Sequence, residues 1–80
     1  MTLKEFSETY EVPYNIVYTA SYLVKPTSIT QRERDYPEDE LYKQITNELN
    51  KRAQKYAELS GKFVMICQRM RTIRQAKNKR

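Results

Sequence analysis

Few residues in this 80-residue chain are of a kind that does covalent chemistry. There is no histidine, and one cysteine, Cys67. A single cysteine excludes an intramolecular disulfide, and without histidine it makes neither a zinc site nor a nucleophile pair. Cys67 stands beside an apolar seam and reads as a small buried hydrophobe. The one glycine, Gly61, excludes glycine-rich loops that cradle phosphates. Glu38, Asp39 and Glu40 have the composition of a metal or acid–base cluster, but consecutive helical positions point to different sides. They read instead as acids matching a helix dipole, so no catalysis, metal or other cofactor is expected, and the chain does not read as an enzyme.

The remaining chemistry is recognition. At about 100° per residue, a helix starting near Pro13 gathers Pro13, Ile16, Val17, Ala20, Leu23 and Val24 on one side. Tyr14, Asn15, Tyr18, Thr19 and Tyr22 gather opposite, so the apolar side packs and the tyrosine side is displayed. Before it, Thr2 and Glu5 form a capping-box pattern, and Leu3, Phe6 and Tyr10 give a first helix its apolar side. Proline suits a helix start, which places a tight turn at about Glu11. A second helix docked on a short first one, with small Ala20 at the contact, is the layout of a helix-turn-helix whose outer face enters the major groove. The plain alternative is two helices of a small bundle.

Residues 2–23 resemble the excisionase and MerR-like helix-turn-helix. The matching pieces are Thr2-Leu3-Lys4-Glu5 and Val12-Pro13-Tyr14-Asn15-Ile16-Val17-Tyr18. Further on, the stretch from Arg34 to Leu41 resembles the segment that leaves the wing of such domains and enters the next helix. The resemblance covers about the first half of the chain. It implies DNA binding, with bending of DNA for a recombinase or repression of a promoter. Two departures stand out. Glu11 occupies the turn where the family usually has glycine, and an L-residue at positive φ costs about 1–2 kcal/mol. No arginine or lysine occurs between Glu5 and Val24, where the family's recognition helix usually carries one.

Residues 25–36 contain Pro26 and lack a helical period, so a loop or short hairpin with a weak strand around Ile29 is expected. As a wing, it would set Lys25, Arg32 and Arg34 against phosphates or a neighbouring minor groove. As a plain connector, its arginines would pair with Glu33 and Asp35. Pro37 and the three acids then open a helix. A heptad follows, with Tyr42, Leu49, Tyr56, Phe63, Met70 and Lys77 at one core position and Ile45, Arg52, Leu59, Ile66 and Ile73 at the other. Gly61 falls at the outermost heptad position. The unbroken register favours one long helix over 37–76, with a hairpin folded back at Ser60-Gly61 as the alternative. Arg52 would find Glu48, and residues 74–80, which lack an apolar stripe, would be a frayed basic end with 77–80 as its tail.

The formal charge of +5 is unevenly divided. Residues 1–24 carry −2, residues 25–42 carry −2, and residues 43–80 carry +9, so the second half is suited to nucleic acid or another anionic surface, with a plain solvated basic helix as the alternative. The expected fold class is mainly α: a helix-turn-helix over 1–24, a wing-like loop or hairpin over 25–36, and a long basic helix, all in one domain. No apolar run reaches the ~20 residues of a membrane span, and no signal-peptide core follows Met1, so a soluble cytoplasmic protein is expected. The function expected is a small DNA-binding protein of excisionase or regulator type. Tyr14, Asn15, Tyr18 and Thr19 would lie in the groove of double-stranded DNA, Lys4, Lys25, Arg32 and Arg34 would sit on its backbone, and a homodimer would form through the long helix. Its rivals are a protein-interaction or inhibitor module using the tyrosine face, and an RNA-binding basic helix.

Overall fold

The computed structural model describes residues 1–29 and 34–78. Helix α1 spans Leu3–Tyr10 and begins at the expected capping box. The Thr2 hydroxyl accepts from the Glu5 N–H at 3.2 Å, and the Glu5 carboxylate accepts from the Thr2 N–H at 3.2 Å. Two of the backbone donors that a helix start leaves open are thereby satisfied. Glu11 ends α1 at φ 54°, ψ 43°, in the left-handed region. There the chain reverses, and the Val12 N–H returns to the Ser7 carbonyl at 3.2 Å. The Ser7 hydroxyl donates to the Val12 carbonyl at 2.7 Å.

Helix α2, Tyr14–Ser21, starts one residue after Pro13, whose carbonyl accepts from Ile16 and Val17. Its inner side is Ile16, Val17 and Ala20, continued by Val24, all buried. Pro13 and Leu23 do not join that side: Pro13 is exposed, and Leu23 is 69% exposed. The helix ends at Ser21, so the helical step that would turn Leu23 inward is not taken. Buried Ser21 occupies the inner side instead, its hydroxyl donating to the Tyr18 carbonyl at 2.6 Å.

Strands β1, Ser28–Ile29, and β2, Arg34–Asp35, form a two-stranded antiparallel ribbon with Ser28 opposite Asp35 and Ile29 opposite Arg34. The Thr27 N–H extends it to the Asp35 carbonyl at 2.7 Å, and the Tyr36 N–H ties it to the Met1 carbonyl at 2.8 Å.

Helix α3 spans Glu38–Lys55, with Pro37 before it and three acids in its first turn. The chain then breaks. Tyr56 sits at φ −115°, ψ 77°, a 3-10 turn covers Ala57–Leu59, and helix α4 runs back over Ser60–Asn78. The single long helix is therefore replaced by a helical hairpin, and its joint is Tyr56, upstream of Ser60-Gly61. Gly61 lies in the first turn of α4, with open space where a Cβ would point, and caps nothing.

The hairpin fills the seam from within the chain. Leu41, Ile45 and Leu49 of α3 and Phe63 and Met70 of α4 are buried, joining Phe6 and Tyr10 of α1 in one core. Each large side chain buried this way contributes about 1.5–3 kcal/mol. Tyr56 and Leu59, assigned by the heptad to the core, are 46% and 49% exposed at the joint. The continuous helix through which a dimer was expected is thus absent, and the buried part of the apolar stripe is covered from within the chain. Residues 74–78 are helical rather than a frayed tail; residues 79–80 lie outside the described residues. The molecule is a slab of 39 × 32 × 16 Å, thin enough that every helix has a side toward water. No helix among the described residues is long and apolar enough to cross a membrane.

Candidate functional site

The outer side of α2 is displayed as its spacing requires: Tyr14, Asn15, Tyr18, Thr19 and Tyr22 are all exposed. Three tyrosines at steps of four stand above one another on a helix. The Tyr14 and Tyr18 rings are 6.3 Å apart and inclined at 27°, and those of Tyr18 and Tyr22 are 5.3 Å apart, edge to face at 78°. The Tyr22 hydroxyl donates to the Tyr18 hydroxyl at 3.0 Å, leaving Tyr18 its own proton for a partner. That bond pushes the Tyr22 phenol above its ordinary pKa, and the Arg34 guanidinium on β2 lies near enough to oppose the shift.

The polar members of the row differ in what they offer. The Thr19 hydroxyl donates to the Asn15 carbonyl at 2.8 Å, so it presents a partner with an acceptor. The Asn15 side chain projects outward with donor and acceptor both available. Lys4 and Lys25 are exposed on α1 and just beyond α2. Arg32 lies outside the described residues. The structure therefore brings Tyr14, Asn15, Tyr18, Thr19 and Tyr22 onto one face, while Arg34 is exposed on β2.

The second half of the chain presents less free charge than its sequence promised, because α4 folds back onto acids. Arg74 pairs with Asp39, Lys77 with Glu38 at 2.8 Å, and Arg69 with Glu11 at 3.7 Å. Arg52 takes Glu48 at 2.9 Å, as its i,i+4 spacing suggested. Around Glu38 these contacts build a cluster that sequence reasoning missed. The Tyr10 hydroxyl donates to the Glu38 carboxylate at 2.5 Å, the Arg74 guanidinium lies 4.4 Å above the Tyr42 ring, and the Lys77 ammonium 5.5 Å from the Tyr10 ring. Burial, then the Glu38 carboxylate, pushes the Tyr10 phenol up to about 12. Lys77, then Tyr10, holds Glu38 below the usual carboxylate range. Only the opposite signs of residues 38–40 and 69–77 announced this cluster, and their pairing requires the turn at Tyr56.

Among the described residues no group of three or more histidines, cysteines, aspartates or glutamates is placed to hold a metal ion. Cys67 is half-buried against the core. No protein-family model, curated protein sequence or solved structure matches the chain.

Proposed function

We propose that the chain is a small double-stranded-DNA-binding protein of the excisionase or transcriptional-regulator kind, with α2 as the groove-entering helix and the β1–β2 ribbon as a wing. The observation carrying this reading is the displayed row of α2, with Tyr14, Asn15, Tyr18 and Thr19 all turned to solvent. An eight-residue helix is about 12 Å long, and the major groove, about 12 Å wide, admits a helix with its side chains. Asn15 has the amide that pairs bidentately with adenine, and the tyrosine and threonine oxygens suit base edges and phosphate-bound water. Arg34 and Lys25, with Arg32, would hold phosphates flanking the groove. The expected outcome is binding to duplex DNA that weakens steeply as salt is raised. Replacing Arg32 and Arg34 together by alanine should flatten that slope by roughly one unit for each lost phosphate contact. No binding to duplex at low salt sinks the reading.

A second reading is favoured by one specific observation. The displayed face carries three tyrosines and no cation, while three α4 cations are paired with acids of the same chain. Such a face also fits a protein partner, for which tyrosine is a common anchor. In that case Tyr18→Ala should cost about 2 kcal/mol or more of binding, and the arginine pair should matter little. A basic helix for RNA has weaker support, since Arg74 and Lys77 of α4 are engaged by Asp39 and Glu38.

A further inference from the structure

Lys62, Met65, Ile66 and Arg69 occupy positions i, i+3, i+4 and i+7 of α4 and therefore share one stripe of the helix. Together with Glu11, at the α1–α2 turn, they line an open groove of about 420 Å³. Its floor is apolar and reaches water: Met65 is 67% exposed, and Ile66 is half-buried at the edge of the core. A cation stands at each end of that floor, one turn before it and one turn after. From these residues we infer that the groove docks an acidic amphipathic helix of another protein, with apolar side chains on Met65 and Ile66 and carboxylates on Lys62 and Arg69.

Charge decides the occupant. Two copies of α4 meeting about a two-fold axis and running antiparallel would set Lys62 of one copy near Arg69 of the other, so like charges would face each other. A helix with carboxylates flanking an apolar stripe satisfies both ends. The groove already shows the contact such a ligand would make, for the Glu11 carboxylate lies 3.7 Å from the Arg69 guanidinium. Both side chains are more than half exposed, so this internal pair is weak and an incoming carboxylate can displace it. Glu11 is then a built-in competitor at one end of the groove, while Lys62 waits at the other. The inference stands apart from the reading of α2, since Lys62, Met65, Ile66 and Arg69 do not belong to the displayed row.

The probe is a synthetic helical peptide with leucines at i, i+3 and i+4 flanked by glutamates, beside a twin with lysines for the glutamates. Each is titrated by fluorescence anisotropy into the intact chain. The glutamate peptide should bind, the lysine peptide should not, and affinity should fall as salt is raised. Met65→Glu, which changes an exposed side chain, should weaken binding by roughly tenfold or more while leaving the far-ultraviolet circular dichroism unchanged. Removing the internal competitor by Glu11→Gln should tighten it by up to about twofold. Equal binding of both peptides, binding of neither, or indifference to Met65→Glu overturns the proposal. So does concentration-dependent self-association that Met65→Glu abolishes, because the occupant would then be a second copy.

Discussion

Glu11→Gly offers a direct measure of strain in the α1–α2 turn. Glu11 is held at φ 54°, and an L-residue there costs about 1–2 kcal/mol that glycine does not incur. Against this, glycine has more freedom to lose on folding, by roughly 0.5–1 kcal/mol. The variant also loses the ion pair with Arg69; with 58% and 61% of the two side chains exposed, that pair contributes no more than a few tenths of a kcal/mol. The net is a gain of about 0.5 kcal/mol, which in a chain of this size raises the thermal midpoint by roughly 2–4 °C. Glu11→Ala serves as the companion, since it keeps the strain and removes only the pair, so it should fall slightly below the parent. The assay is thermal and urea unfolding followed by circular dichroism, with all three proteins at one ionic strength. A midpoint for Glu11→Gly below that of Glu11→Ala would refute the account of the turn, because the ordering depends on the backbone and not on the ion pair.

The other predictions concern the helical hairpin and its polar cluster. Met70→Ala, in a fully buried site between α4 and the core, should destabilise by about 2–5 kcal/mol in urea unfolding. Ile66→Lys should lower stability without changing the sedimentation coefficient, because the seam is closed within one chain; a drop from dimer to monomer would contradict the hairpin. Tyr10→Phe should lose about 1–2 kcal/mol, since the hydroxyl donates to a carboxylate. The pH dependence follows from the same pair. Tyr10 has a folded pKa near 12, above its ordinary 10, so its contribution is full below pH 10 and is lost as pH rises through about 12. Glu38 has a lowered folded pKa, so its contribution is present above the ordinary carboxylate value and is lost as pH falls through the folded one. Unfolding midpoints across both limbs test this, and Tyr10→Phe should reduce the alkaline loss.

Local features of the first 24 residues could be read from the chain because each rests on neighbours in sequence. The Thr2–Glu5 box, the turn at Glu11 and the outward tyrosines need only residues within a turn or two, while the left-handed backbone of Glu11 was implied by the resemblance alone. Leu23 shows where that reading stops, since helical spacing says nothing of where a helix ends. The joint at Tyr56 was not legible. Antiparallel hairpins and coiled coils use the same heptad, and the sequence from Lys55 to Leu59 holds neither glycine nor proline. The break is set by tertiary packing, which brings Phe63 and Met70 over Leu41, Ile45 and Leu49. Charge was misread for a related reason: a tally along the chain assigns +9 to residues 43–80, but folding back sets Arg69, Arg74 and Lys77 against Glu11, Asp39 and Glu38.

The tyrosine row of α2 carries a consequence for the entropy of association. An unsupported tyrosine on a surface samples several rotamers, and freezing a rotamer-rich side chain on binding costs roughly 0.5–1.5 kcal/mol. Here Tyr14 leans on Tyr18, and Tyr18 is braced by both the ring and the hydroxyl of Tyr22. The rings restrict one another before any partner arrives, so much of that loss falls on folding rather than on docking. A face organised in advance rewards a surface already complementary to its shape and gives little to one that must be moulded against it.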